Sequence, residues 1–392
     1  MVSYHILNGC PYINGVFCES SDIHVENGII ADIQPQGYGK YRGEIFDATN
    51  CSIIPGFIDI HVHGMHGFDT SDAAVDSILG IAKGVARTGV TRFCPTLYTQ
   101  SEDKMLKCIE VIATAKVQER QGQNPGAIID GIHLEGPFIS PHKAGAQPLG
   151  DIRKNLKKEV DLVFLDRAYE AAKGNISIIT AAPELEGIEV LSTFCRSHDI
   201  VLSAGHTNAS YEEALSGLKQ GFCGATHLFN AMPPMTSRNP GCVGLFLEND
   251  NAYCEFIGDG KHLHPGIVRQ IIKVKPADKS VLVTDCLAPA GLETGPLIAN
   301  SRPVYLKDGL FHHEDDDRIA GSSLTMAQGF KNLLSWGVDI SQAVQCASLN
   351  PALVLQQRNE IKVGQKAGFV VLDQSMNPLR AAIGSNFINT RR

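Results

Sequence analysis

The sequence predicts an α/β fold, a (β/α)8 barrel of the TIM type with a small β-sandwich domain formed by the N- and C-terminal segments. Two observations lead to this prediction. Between Gly56 and Ala288, eight short apolar runs alternate with longer segments that have helical spacing. Before and after this region, the pattern changes to short strands separated by turn residues. A length of 392 residues with 43% hydrophobic residues suits one large barrel with an appendage.

The eight apolar runs are the predicted barrel strands, because near-continuous apolar stretches are typical of a parallel sheet covered on both faces. In chain order they are GFIDIHVHG (from Gly56), VTRFCPTL (from Val90), AIIDGIHLEGP (from Ala127), ISIITAAPE (from Ile176), IVLSAGHT (from Ile200), FCGATHLFN (from Phe222), AYCEFIGDG (from Ala252) and SVLVTDCLA (from Ser280).

The segments between the runs are predicted helices. SEDKMLKCIEVIATAKVQER has Ser101 as a candidate N-cap, followed by two acidic residues in the first turn. YEEALSGLKQG ends at Gly221, a candidate C-cap. After the eighth strand we expect a hairpin around Asp308-Gly309, and then SSLTMAQGFKNLLSWGVD as the eighth helix.

The two ends of the chain are predicted to join in one small β domain beside the barrel. DIHVENGIIADI alternates apolar and polar residues on both sides of Asn27-Gly28, a strong hairpin signal. Near the C-terminus, KAGFVVLD returns to strand character. We therefore expect residues 1–54 and 362–392 to form the small domain, and residues 55–361 to form the barrel.

Charge and composition exclude several classes of protein. The 34 basic and 42 acidic residues give a net charge of −8 with no long basic run, so nucleic-acid binding is not indicated. We see no signal-peptide pattern and no apolar stretch of about 18 residues, and expect no transmembrane helix. Eleven scattered cysteines without a C-x-x-C spacing favour reduced thiols and a cytoplasmic protein.

Polar side chains with metal-binding chemistry follow five of the eight predicted strands. Because the active site of such barrels lies at the carboxyl ends of the strands, we expect these side chains to converge. Imidazole and carboxylate groups are natural ligands of Zn²⁺ or Fe²⁺. The candidates are His61 and His63 after the first strand, Glu135 after the third, His206 after the fifth, His227 after the sixth and Asp285 after the eighth.

A single histidine at a strand end is more often a structural residue than a ligand, and it is the coincidence of all six that favours a site. Asp285 could be the base that takes a proton from a metal-activated water molecule, or a further ligand, and the residues alone leave both open. The remaining histidines of the end segments and helices are expected at the surface; they are His5, His24, His198, His312 and His313.

Motifs of other enzyme classes do not occur at the strand–helix turns. There is no G-x-x-x-x-G-K-[ST] phosphate loop, no G-x-G-x-x-G dinucleotide motif and no G-x-S-x-G nucleophile elbow. Metal-assisted hydrolysis is therefore the leading reaction class.

These residues resemble the amidohydrolase superfamily and, within it, the N-acetylglucosamine-6-phosphate deacetylases. The resemblance covers nearly the whole chain. HLEGPF and ATHLFNAM are its most specific parts, whereas HxH marks the entire superfamily. The motifs, in the family's order, are PGFIDIHVHG, HLEGPFI, SAGHT, ATHLFNAMPP, DGKHLHP, VTDCLAPAG and GSSLTMAQG.

The resemblance implies one or two divalent metals, Zn or Fe, in each subunit. Glu135, His206 and His227 would hold the principal metal, and the His61–His63 pair would hold a second. Many relatives in the superfamily bridge two metals with a modified lysine on the fourth strand. The fourth strand here, ISIITAAPE, has no lysine, so Glu135 would supply the bridging carboxylate.

The resemblance also implies roles for the residues around the metal. Asp285 would be the catalytic base and then the acid that protonates the departing amine, and His262 would stabilise the oxyanion. Arg238 would pair with the substrate phosphate from a neighbouring subunit, which implies a homodimer. Further substrate contacts would come from Asn230, Ala231, Ala146, Gln147, Ile319, Ala320 and Gly321, with Gln147 standing where some members have histidine.

The implied activity is hydrolysis of N-acetyl-D-glucosamine 6-phosphate to D-glucosamine 6-phosphate and acetate, in amino-sugar catabolism. One alternative is the same reaction on the N-acetylgalactosamine epimer. A cyclic-amide hydrolase is a second, against which the absent lysine and the presence of Arg238 argue. A non-catalytic metal-binding or sugar-sensing protein is a third, against which Asp285 beside a full ligand set argues.

Overall fold

The computed structural model describes residues 3–37, 43–121, 125–292 and 296–390. Its centre is a parallel barrel of eight strands, each in the position that its apolar run predicts. The third strand is preceded by a short piece, Ile128–Ile129, that also pairs with the second. The barrel strands are β1 (Phe57–Val62), β2 (Val90–Leu97), β3 (Ile132–Glu135), β4 (Ile176–Ala181), β5 (Val201–Ala204), β6 (Phe222–Ala225), β7 (Tyr253–Ile257) and β8 (Ser280–Val283).

Backbone hydrogen bonds beyond the last strand close the barrel. Asp285 N–H donates to the His61 carbonyl at 2.9 Å, and His63 N–H donates to the Cys286 carbonyl at 3.0 Å. The eighth strand is thus joined to the first at the level of the candidate site. The fold-class prediction of a (β/α)8 barrel is confirmed.

Helices follow the strands and cover the barrel. Ser210 caps the fifth helix by accepting from Glu213 N–H, and Gly221 ends it with a left-handed φ of 115°. The helices are α1 (Val75–Ala86), α2 (Glu102–Arg120), α3 (Lys158–Ala171), α4 (Ile188–Ser197), α5 (Tyr211–Gln220), α6 (Gly241–Glu248), α7 (Pro265–Val274), α8 (Met326–Ser335), α9 (Ile340–Val344) and α10 (Asn350–Val354).

Strands from both ends of the chain pair in one nine-stranded sheet. This pairing supports our proposal that residues 1–54 and 362–392 form one domain. Apolar residues from both ends, such as Ile6, Ile23 and Phe369, pack in a common core. The sheet consists of Asn386–Asn389, Pro378–Ile383, Gly368–Leu372, Ser52–Pro55, Ser3–Ile13, Ser21–Glu26 and Ile29–Pro35 in spatial order, with Val16–Phe17 and Glu44–Asp47 pairing to Ser3–Ile13.

A four-stranded antiparallel sheet follows β8 and reaches the mouth of the barrel. Its central hairpin turns at Asp308-Gly309, as predicted. Arg318 Nη1 donates to the Gly145 carbonyl at 2.7 Å, which ties this sheet to the loop after β3. Its strands are Ile298–Ala299, Arg302–Lys307, Leu310–His313 and Ile319–Ser322.

Among the described residues, no helix is both long enough and apolar enough to cross a membrane.

Candidate metal centre and active site

The carboxyl ends of β1, β3, β5, β6 and β8 bring the six candidate side chains together. All but Asp285 are almost completely buried, and the Asp285 side chain is 14% exposed. His61 and His63 alternate with Val62, so both imidazoles point to the same side of β1. These side chains lie between positions 61 and 285 of the sequence. They form one cluster in the structure because the parallel strands of a barrel all end at one rim.

The Glu135 carboxylate lies at the centre of this cluster. Its Oε1 is 3.0 Å from His227 Nε2, 3.1 Å from His206 Nε2 and 3.3 Å from His61 Nε2. Its Oε2 is 3.4 Å from His63 Nε2. Oε1 therefore faces three imidazoles, and Oε2 faces the fourth.

Asp285 lies beside the His61–His63 half of the cluster. Its Oδ1 is 3.3 Å from His63 Nε2 and 3.6 Å from His61 Nε2. Burial raises the pKa of this carboxyl, but the hydrogen bond with His63 and the charges of both imidazoles lower it below the usual value. Asp285 is therefore ionised at neutral pH and able to accept a proton.

The imidazoles of His206 and His63 are oriented through their other ring nitrogen. His206 Nδ1 bonds the Lys143 carbonyl at 2.9 Å, and His63 Nδ1 bonds the Thr96 carbonyl at 3.1 Å. A ring that donates from Nδ1 presents an Nε2 lone pair, and this arrangement is typical of metal-ligating histidine. Both rings thus have the orientation that a metal centre needs.

Charge in the cluster is balanced between carboxylates and imidazoles. Burial lowers the pKa of His61 and of His206, but the nearby Glu135 carboxylate raises both above the usual value. Burial raises the pKa of Glu135, and the charges of His206 and His61 lower it well below its usual range. Buried carboxylates such as Glu135 thus attract positive charge into a site lined by nitrogen donors.

These residues fit a divalent cation. Two overlapping triads have their donor atoms within 4.8 Å of one another, namely His61, His63 and Asp285, and His61, Glu135 and His227. Nitrogen and carboxylate oxygen donors suit Zn²⁺ and Fe²⁺.

Three of the candidate residues have left-handed backbone conformations. The φ angles are 47° at His206, 30° at His227 and 49° at Asp285. Such conformations cost free energy in residues other than glycine, and they are concentrated at functional sites. No sequence pattern signalled them.

A cavity of about 240 Å³ opens above the cluster. Almost every residue that the family resemblance assigned to substrate binding lines this cavity. Arg238 is the exception, since it lies in an exposed turn between Thr236 and Asn239 and does not line the cavity. The lining includes Gly145, Ala146, Gln147, Asn230, Ala231, His262, Ile319, Ala320 and Gly321, together with His63, Tyr98, Glu135, His206, His227 and Asp285.

Gln147 lines this cavity and is also bonded to the centre. Its Nε2 donates to Glu135 Oε2 at 2.6 Å, and its Oε1 accepts from Thr99 N–H at 2.8 Å. The side chain is thereby fixed at both ends of its amide. Gln147 positions the Glu135 carboxylate, a role that the sequence did not predict.

His262 faces the cavity from the segment after β7. Its Nδ1 is 2.6 Å from Asp259 Oδ2, which fixes the ring and leaves Nε2 for a ligand. Burial raises the pKa of Asp259, but the contact with His262 and two backbone N–H groups lower it below the usual value, so this carboxylate is ionised.

Two further residues at the centre were missed by the sequence reasoning. Glu255 on β7 is fully buried, with Oε2 at 3.4 Å from His61 Nδ1 and accepting from His227 N–H at 3.3 Å. Tyr98 directly follows β2 and stacks on His63. The available signals were a charged residue inside an apolar run for Glu255 and the position directly after the second strand for Tyr98.

Two expectations about the remaining histidines are wrong. His5 and His313 are buried, with exposures of 1% and 3%, where the sequence predicted surface positions. His5 packs against His24, with their Nδ1 atoms 2.8 Å apart across paired strands. His313 lies on the strand Leu310–His313, opposite Val304. The local sequence does not show which face of these strands the rest of the fold covers.

Comparison with known proteins agrees with this geometry. The sequence profile of the amidohydrolase family matches residues 52–390. The chain belongs to the amidohydrolase family. It is 34% identical over 385 residues to the N-acetylglucosamine-6-phosphate deacetylase of Danio rerio, covering 94% of this chain and 92% of that protein. It is 32% identical over 337 residues to the enzyme of the same name from Bacillus subtilis, covering 85% and 83%.

Solved structures resemble the whole fold of this amidohydrolase. One is a variant N-acetyl-D-glucosamine-6-phosphate deacetylase from Mycobacterium smegmatis in complex with N-acetyl-D-glucosamine-6-phosphate, with a TM-score of 0.88, 25% identity and 99% of both chains covered. Another is the N-acetylglucosamine-6-phosphate deacetylase from Pasteurella multocida, with a TM-score of 0.88, 27% identity and coverage of 99% and 100%. An N-acetylgalactosamine-6-phosphate deacetylase from Escherichia coli is 28% identical, covering 92% of each sequence.

Proposed function

We propose that this amidohydrolase hydrolyses N-acetyl-D-glucosamine 6-phosphate to D-glucosamine 6-phosphate and acetate. The Asp285 carboxyl group lies 3.3 Å from His63, beside a buried histidine–carboxylate centre at the base of the cavity, and this arrangement supports the proposal. The substrate is inferred from two relatives that are named N-acetylglucosamine-6-phosphate deacetylase and that this chain matches over most of their length.

In this proposal Glu135, His206 and His227 would hold one divalent metal, and His61 and His63 would hold a second together with Glu135. The ion would be zinc or iron. A bound divalent metal supplies Lewis acidity, which activates water and polarises an amide carbonyl. Glu135 lies within 3.4 Å of all four imidazoles, which supports two ions over one.

Asp285 moves the proton. It takes a proton from the attacking water molecule on its Oδ1 side, and then passes that proton to the nitrogen of the departing amine. His262, fixed by Asp259, is directed at the amide oxygen, where negative charge develops as the carbonyl is attacked. Asn230 and Ala231 line the cavity where the sugar phosphate would lie.

Arg238 supplies the cation for the phosphate. Because the protein carries a net charge of −8, an anionic substrate needs a local cation. Arg238 is exposed and does not line the cavity of its own chain, so we infer that it completes the site of a second copy in a cytoplasmic homodimer.

Replacing Arg238 by alanine is expected to raise KM by about 10-fold or more, with a smaller change in kcat, because the phosphate is remote from the bond cleaved. Steady-state kinetics with the phosphorylated substrate would measure this. Arg358→Ala removes an equally charged, exposed side chain elsewhere and should leave KM unchanged. Arg318 contacts Gly145 in the cavity lining of its own chain. If KM rose in Arg318→Ala and not in Arg238→Ala, the phosphate would be held within one chain, and Arg238 would have no role in binding it.

The preferred epimer can be tested directly. Wild-type protein loaded with zinc or ferrous iron should show a larger kcat/KM for N-acetylglucosamine 6-phosphate than for N-acetylgalactosamine 6-phosphate. The reverse order would assign the protein to the activity named for its Escherichia coli relative. Activity on a cyclic amide with none on either sugar phosphate would reject both.

A further inference from the structure

Glu184, the last residue of the fourth apolar run, lies against the turn that follows β5. Its Oε2 accepts from the Thr207 hydroxyl at 2.5 Å, and its Oε1 accepts from Asn208 N–H at 2.6 Å. Both carboxylate oxygens are thus bonded to the two residues that directly follow His206. Glu184 does not line the cavity, so its effect on the site passes through this turn.

The turn after β5 has a backbone conformation that needs support. The φ of 47° at His206 is left-handed, and such a conformation persists in a residue other than glycine only where its surroundings hold it. Thr207 is completely buried, and its Oγ1 also accepts from Ala209 N–H at 2.9 Å. The Thr207 hydroxyl therefore links the Glu184 carboxylate to the backbone beyond the turn.

Backbone hydrogen bonds hold the same turn from two other sides. Ser140 N–H donates to the His206 carbonyl at 2.8 Å, and Thr207 N–H donates to the Ala231 carbonyl at 3.2 Å. Glu184 adds a carboxylate to these neutral bonds, and hydrogen bonds to a carboxylate are stronger than those between neutral groups. The Glu184 carboxylate therefore makes the strongest of the hydrogen bonds that hold this turn.

The position of the turn decides where the His206 imidazole lies. Its Nε2 is 3.1 Å from Glu135 Oε1 and 3.2 Å from His227 Nε2, and these residues are the other two members of the proposed principal metal site. A rotation of the backbone at His206 would carry the ring with it and separate Nε2 from both. Residues that orient a metal ligand commonly contribute about 10- to 100-fold to metal affinity.

We propose that Glu184 is a positioning residue of the metal centre, because by holding the strained turn it keeps His206 Nε2 directed at the ion. The carboxylate acts as a hydrogen-bond acceptor, and it neither touches the substrate nor exchanges a proton. The role rests on the metal centre of the proposed function but not on the identity of the substrate. Metal binding can therefore test it without any measurement of acetate release.

Glu184→Ala removes both bonds, whereas Glu184→Gln keeps them, because the amide oxygen can accept from Asn208 and the amide N–H can donate to the Thr207 hydroxyl oxygen. We expect the Kd for zinc to rise by about 10-fold in Glu184→Ala and to stay within about threefold of the wild type in Glu184→Gln. Competition with a chromophoric chelator would measure both. Glu186→Ala changes an exposed glutamate two residues further along the same loop and should leave the Kd unchanged.

Thr207→Val breaks the same contact from its other side, because valine keeps the buried shape and removes the hydroxyl. It should raise the Kd for zinc by a similar factor. The double variant with Glu184→Ala should lose less affinity than the product of the two single losses, since the two groups act together. If Glu184→Ala does not fold, Thr207→Val carries the test.

Thermal unfolding of the metal-free proteins separates positioning from a purely structural role. A lower Tm in metal-free Glu184→Ala with a wild-type Kd for zinc would show that the carboxylate only stabilises the fold, and would overturn the proposal. An equal loss of affinity in Glu184→Gln would overturn it too, because charge and not position would then matter. A wild-type protein that binds no divalent metal would instead refute the metal centre of the proposed function, and the wild-type titration identifies that outcome by itself.

Discussion

Asp285→Asn is expected to lower kcat for deacetylation by about 10²- to 10⁴-fold, while the substrate still binds. Asparagine has nearly the same shape but cannot accept the proton of the attacking water molecule or return it to the amine. The left-handed φ of 49° at this position is one that asparagine tolerates, so the backbone should keep its conformation. Acetate release under saturating substrate measures kcat, and calorimetry measures binding to the inactive variant.

An exposed aspartate provides the matched control. Asp278→Asn changes the same functional group, 52% exposed, away from the cavity and should retain wild-type turnover. Metal content of Asp285→Asn must equal that of the wild type for the result to report on proton transfer. Near-wild-type kcat in a metal-loaded Asp285→Asn variant would remove Asp285 from the role of base.

Glu135→Gln is expected to abolish both high-affinity metal binding and activity. Glu135 is the carboxylate that contacts both His206 and His227, and its loss leaves these imidazoles without a shared anionic ligand. We expect metal affinity to fall by about 100-fold or more, since changing even a supporting partner of a metal ligand costs 10- to 100-fold. Elemental analysis and metal titration would measure the loss.

Thermal unfolding gives an independent readout of the same change. A ligand present at about 100 times its Kd stabilises the folded state by about 2.7 kcal/mol, so added zinc should raise the Tm of the wild type. Glu135→Gln should show little of this increase, whereas Glu110→Gln, an exposed change on α2, should retain it. Full metal occupancy in Glu135→Gln would contradict the assignment of this carboxylate.

The barrel could be predicted because its signal is local. Eight apolar runs such as Val90–Leu97 identify the strands one by one, and chain order in a (β/α)8 barrel then fixes their neighbours. The burial of His5 and His313 could not be predicted in this way. Their burial depends on which face of each strand the rest of the fold covers, and the local pattern does not show this.

Some contacts of the candidate site could be predicted from the sequence, and others could not. Residues at the carboxyl ends of barrel strands converge by geometry alone, so the amino-acid sequence was sufficient to place His61 and Glu135 together. Contacts that depend on how loops return to the rim could not be derived. The bond from Gln147, in the loop after β3, to Glu135 is of this kind.

Proton NMR of N-acetyl-D-glucosamine 6-phosphate incubated with metal-loaded wild-type protein follows the proposed deacetylation itself. We expect the acetyl methyl signal to be replaced by that of free acetate, with one equivalent of glucosamine 6-phosphate formed, and a chelator to stop the reaction. If the acetyl signal stayed unchanged with a fully metal-loaded protein, the protein would not be the proposed deacetylase.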